Sequence, residues 1–109
     1  MQKPSAAAMD AARAALHQAA EQAQEILVMH MANGVEIRSL NVEIEPTVRI
    51  APGAVILSGC ILRGSIVIGP GCVVGPNTLI EDSILEENTT VNASQVYASH
   101  LGAGNKIGP

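Results

Sequence analysis

Hydrophobic positions along the chain follow two different periods, which meet at Asn33-Gly34. After Gly34, aliphatic residues recur every six positions at Ile44, Ile50, Ile56, Leu62, Ile68, Val74 and Ile80. Four residues on from each stand Val48, Ala54, Cys60, Ile66, Cys72, Thr78 and Ile84, mostly small or β-branched. Neither the 3.6-residue period of a helix nor the two-residue period of a strand yields six. The prolines explain it: Pro46, Pro52, Pro70, Pro76 and Pro109 each stand two residues after an aliphatic, and Gly53, Gly71 and Asn77 follow three of them. Pro followed by Gly or Asn is a tight-turn pair, because Pro fixes φ and the next residue must take φ > 0. Gly59 and Gly104 fill the same left-handed slot in other hexads, and Ser65, Ser83 and Asn88 are expected to fill it elsewhere. Each hexad is then a short strand plus a turn, and three hexads close one triangular coil.

The pattern predicts an all-β solenoid, a single-stranded left-handed β-helix of hexapeptide repeats over residues 34–109. Arg38 to Pro109 has room for four coils of 18 residues, stacked over about 19 Å at ~4.8 Å per coil. A β-sandwich would not space its turns at a fixed six residues. After Ile80 the register slips: "IEDSI", "VNASQ" and "VYASH" read as five-residue rungs, while "LEENTT" and "LGAGNK" return to six. These are irregular coils of one solenoid.

Residues 1–33 form a separate helical arm. Ser5 is placed to cap a helix that runs to Met31, and Asn33-Gly34 gives a left-handed stop. Ten alanines between Ala6 and Ala23 supply helix propensity but little apolar area. Met9, Ala12, Leu16, Ala19, Ala23 and Ile26 recur at heptad a and d spacing, a thin stripe that faces either a partner helix or the domain itself. The helix is longer than a small domain needs to cover itself, so it is expected to project.

Composition narrows the class. The 109 residues include no Trp, no Phe and only Tyr97, as a narrow prism interior demands. A net charge of −4 gives no electrostatic case for nucleic acid. No apolar run reaches membrane-spanning length, and no signal peptide is visible, so a cytoplasmic location is expected.

The segments "MHMANGVEI", "ILRGSIVIGPGCVVGPNTLIEDSI" and "SHLGAGNKIGP" resemble the first coils of the hexapeptide-repeat domain of one enzyme family. That family is the bifunctional N-acetylglucosamine-1-phosphate uridylyltransferase/glucosamine-1-phosphate N-acetyltransferase, which makes UDP-N-acetylglucosamine. The resemblance runs from about Ile26 to Pro109 and implies a β-helix that trimerises, preceded by a connecting helix. The family's nucleotidyltransferase domain carries a Gly-rich phosphate loop with no counterpart here. Gly102, Gly104 and Gly108 lie within a hexad, where turn chemistry explains them. The family's acetyl-CoA and sugar sites lie in later coils, so no cofactor is expected on this chain, and acetyl-CoA only if it acts as an acetyltransferase. "GVEIRSLNVEI" is one residue short of the family's usual spacing and lacks its Asp-Pro.

Candidate chemistry is sparse. His100, in "ASHL", locally resembles the family's catalytic His segment, and a His can take the proton from an attacking amine. The family's Tyr two residues after the Leu is Ala103 here, and alignment over the whole β-helix puts His100 in an earlier, non-catalytic rung. His100 is therefore a weak catalytic candidate and the only one. His17 and His30 lie on the helix, which leaves too few ligands for a zinc site on the solenoid, so no metal is expected. Cys60 and Cys72 are read as buried free thiols on different faces. Arg63, Glu81, Glu86 and Glu87 are read as solvated turn residues.

Two functions follow. The chain is a non-catalytic homotrimeric scaffold presenting a helical arm to a partner chain, or it belongs to an acetyl-CoA-dependent amino-sugar N-acetyltransferase that needs further coils or another chain. A serine acetyltransferase-like protein, also helical and then β-helical, is a weaker third reading.

Overall fold

The structure, a computed structural model, describes residues 2–109. A helix, Ala6–Ala32, leads into a solenoid of thirteen strands, each two or three residues long. The strands stack in parallel into three sheets, one of five strands and two of four, and every third strand in sequence belongs to the same sheet. This is a left-handed β-helix of four coils with a fifth strand closing one face.

Three ladders of aliphatic side chains fill the interior. Ile44, Leu62, Ile80 and Val96 stack in register on one face, and Ile50, Ile68, Leu85 and Leu101 on the second. Ile37, Ile56, Val74, Val91 and Ile107 stack on the third. Each coil thus contributes one aliphatic per face, which is the physical content of the six-residue period. Ile56, Leu62, Ile68, Val74 and Ile80 are fully buried, and exposure rises only toward the ends of the stack.

The corners follow one rule. Gly53, Gly59, Asn77, Asp82, Asn88, Ala93, Ala98 and Gly104 all have positive φ, and each donates its N–H to a turn carbonyl of the preceding coil. The left-handed residue is what turns the corner's N–H along the solenoid axis. The serine assignments need correction on this point. Gly64 and Asp82, not Ser65 and Ser83, hold the left-handed slots.

Ser83 instead tightens the turn. Its hydroxyl donates to the Glu81 carbonyl at 2.8 Å, as Ser94 donates to Asn92 at 2.8 Å and Ser99 to Tyr97 at 2.7 Å. A hydroxyl bonded two residues back closes a tight turn; it occurs in each of the three five-residue rungs, and Thr78 makes the same bond to the Pro76 carbonyl at 3.1 Å in a six-residue rung. The coils shorten accordingly, from Glu36 pairing with Val55 to Thr90 pairing with Lys106. The first coil is the longest, with Glu36 and Val55 19 residues apart. The slip also sets Ile84 apart from Val48, Ala54, Cys60, Ile66, Cys72 and Thr78, its equivalents in the hexad count, which are all buried. Ser83 and Leu85 are buried, and Ile84 points out at 42% exposure.

Helix geometry is close to expectation. Ser5 Oγ accepts from the Ala8 N–H at 3.1 Å. The helix ends at Ala32, one residue beyond Met31, and the left-handed residue is Gly34 at φ +90°; Asn33 stays at φ −84°. Only Ile26, Leu27 and His30 dock on the solenoid, whereas Ala6 to Glu25 are all exposed. The arm does project: 27 residues at 1.5 Å each give about 40 Å of helix. No helix of the described residues is long and apolar enough to cross a membrane.

Candidate functional site

His100 lies on the strand His100–Leu101. Side chains alternate along a strand, so with Leu101 turned inward His100 must face out. Its strand pairs with Ile84-Leu85, and Glu86 follows immediately. That juxtaposition brings Glu86 Oε2 to 2.6 Å from His100 Nε2. The side chains are 60% and 49% exposed. A neutral ring that donates Nε2–H to the carboxylate presents Nδ1 as its acceptor, the arrangement of a carboxylate-oriented base. The surroundings are an open sheet face, on which Arg49, Val67, Ile84 and His100 follow one another in register.

Sequence reasoning took Glu86 for a plain turn residue. The signal was present in the short rungs: two five-residue rungs, at Val91 and Val96, bring His100 beside Glu86. Arg63 does lie at the surface, 3.7 Å from both Glu43 and Glu81, in exposed pairs that contribute little to stability.

Cys60 and Cys72 are free and buried. Burial raises both thiol pKa values, against smaller opposing effects of backbone hydrogen bonds. Their sulfurs sit 3.3 Å from the Val74 carbonyl and 3.0 Å from the Glu86 carbonyl. Protonated, enclosed thiols of this kind are poor nucleophiles and act as small apolar residues. Among the described residues no group of three or more His, Cys, Asp and Glu is placed to hold a metal ion.

His30 was placed on the helix and no further. Its spacing of three from Leu27 and four from Ile26 puts it on the docked face, and it is only 3% exposed. Neither ring nitrogen has a hydrogen-bond partner. The carboxylates of the strands beneath the helix are engaged elsewhere: Glu36 with Arg38, Glu43 with Arg63, and Glu45 with the Gly64 N–H. Desolvation therefore lowers the His30 pKa below its usual 6.5. Well above pH 6.5 the ring is neutral in both folded and unfolded chains and has no effect on the pH dependence. As pH falls through 6.5, the unfolded chain takes up a proton that the folded chain resists, so stability falls. Urea unfolding between pH 7.5 and 5.5 should show a loss of up to about 1.4 kcal/mol per pH unit from this group. The same titration of His30→Leu should lack that contribution, and equal pH slopes for the two proteins would refute the assignment.

Beside the docked end of the helix lies an open groove of about 710 Å³. Ala19, Ala23 and Ile26 form one wall, and Val42, Ile44 and Pro46 the other.

No curated protein sequence matches the chain. Residues 47–82 match the family model described as bacterial transferase hexapeptide (six repeats). They span two full coils, including the fully buried aliphatics from Ile56 to Ile80. The chain thus carries hexapeptide repeats within a left-handed β-helix.

Proposed function

We propose that the chain is a trimerising β-helix module of the N-acetylglucosamine-1-phosphate uridylyltransferase/glucosamine-1-phosphate N-acetyltransferase family, and that on its own it scaffolds rather than catalyses. The outward side of the sheets carries this reading. Each face presents an aliphatic pair between polar ends: Val55 and Val73, Ile61 and Leu79, Val67 and Ile84. Val67 and Ile84 are more than 40% exposed. A threefold ring joins two different faces of each protomer, and aliphatic pairs on every face supply that requirement. Exposed contiguous apolar area of this kind marks an interaction surface. The buried free thiols accord with work in a reducing compartment such as the cytoplasm.

A second reading is favoured by the Glu86–His100 pair. In it the chain serves an acetyl-CoA-dependent amino-sugar N-acetyltransferase, with His100 as the base that takes the ammonium proton and Glu86 orienting its ring. On this open face, further coils or a partner chain would have to enclose the substrate.

Equilibrium binding of acetyl-CoA, with molar mass recorded on the same sample, separates the two. The scaffold reading expects a mass that is a multiple of three protomers and no binding at millimolar cofactor. Micromolar binding, with transfer of the acetyl group to an amino-sugar phosphate that is lost in His100→Ala while binding is kept, would establish the second reading, and a mass that is not a multiple of three would refute the trimer.

A further inference from the structure

We propose that a second copy of this chain fills the groove beside the helix, its own helix running antiparallel along the first. The apolar stripe read from the sequence is continuous with that groove. Met9 and Leu16 are 45% and 72% exposed, and the stripe descends through Ala19, Ala23 and Ile26 into the groove wall. From Ala6 to Glu25 none of the described residues covers the helix.

Antiparallel pairing sets a positions against d positions. Leu16 then faces the second copy's Ala19, Ala12 faces its Ala23, and Met9 reaches its Ile26 inside the groove. Large side chains meet small ones at the centre, and twofold symmetry makes each contact twice. The overall sign of charge suits this occupant. The groove is rimmed by Glu21, Glu25, Glu43 and Glu45, with no Lys or Arg in its lining. The incoming end of the second helix carries Lys3 and Arg13 against the single acid Asp10.

Leu16→Glu tests the proposal on an exposed residue whose loss leaves the fold intact. Sedimentation equilibrium should show its mass reduced two-fold from wild type. That ratio is the same whether the solenoids are trimeric (six copies to three) or single (two copies to one), so it is read independently of the trimer. A second measurement fixes direction. Ala12→Cys and Ala23→Cys chains, mixed and oxidised, should form the 12–23 crosslink between copies. Within one helix these positions are about 16 Å apart, beyond disulfide reach. Cys60 and Cys72 are buried and should not compete. Equal masses for wild type and Leu16→Glu would overturn the pairing, as would a mixture that gives no 12–23 crosslink. Efficient self-crosslinking of Ala12→Cys alone would show a parallel pair and overturn it equally.

Discussion

Leu62→Ala should lower the stability of the chain by about 2–5 kcal/mol, the range for removing a fully buried Leu without full collapse of the site. Leu62 has no exposed surface. In its ladder it lies between Ile44 and Ile80, and along the chain between Ile56 and Ile68 on the other two faces. A solenoid cannot easily close such a hole. The strands above and below are held at fixed spacing by backbone hydrogen bonds on all three faces, so the neighbouring layers cannot slide together. Against a total of about 5–15 kcal/mol for a domain of this size, the loss should bring the transition close to zero denaturant. Urea unfolding followed by circular dichroism measures it, with Leu40→Ala as the control. Leu40 is 80% exposed, and its loss should change stability by about 0.5 kcal/mol or less. A cost for Leu62→Ala below about 1 kcal/mol would mean that the coils can repack around a missing layer.

Most of this layering could be read from the sequence because one residue per face per coil leaves no freedom of register. The aliphatics from Ile44 to Ile80 are all buried, and the period alone locates them. What the period could not locate is where the turn chemistry changes. Ser65 and Ser83 looked like left-handed residues because the hexad count put them in that slot. In the structure the strained position goes to the preceding Gly64 and Asp82, where glycine and aspartate tolerate it. Ser83 is free to bond back to Glu81, so Ile84 turns outward. His100 was found from its residue type and Glu86 was not, since their contact depends on two shortened rungs between them. His30 needed the docked face of the helix, which three apolar spacings mark only once the helix is known to touch the solenoid at that end. The groove needed the angle between helix and first coil, and no local pattern encodes that angle.

Gly75→Ala is the second substitution expected to cost several kcal/mol, and for a different reason. Gly75 has φ +108°, which an L-residue reaches only at about 1–3 kcal/mol of backbone strain. An added Cβ would also lie 2.6 Å from Cys60 Sγ and 3.0 Å from Leu57 Cβ. Cys60 is fully buried and its sulfur lies 3.3 Å from the Val74 carbonyl, so it has little room to retreat. Forcing one extra carbon into such packing adds about 1–3 kcal/mol more. Gly75 cannot rotate away, because its N–H donates to the Val91 carbonyl at 2.8 Å and ties this corner to the next coil. The two contributions separate in a double substitution. Cys60→Ala removes the sulfur that the new methyl meets at 2.6 Å, so Gly75→Ala introduced on that background should cost less, keeping the backbone strain and the 3.0 Å approach to Leu57 Cβ. Gly102→Ala is the matched control: it lacks positive φ and its Cβ would meet nothing nearer than 3.7 Å. It should shift stability by about 0.5 kcal/mol or less. If Gly75→Ala proves as mild as Gly102→Ala, the corner is not held by its contact with Cys60, and the second coil has more play than a stack of fixed layers allows.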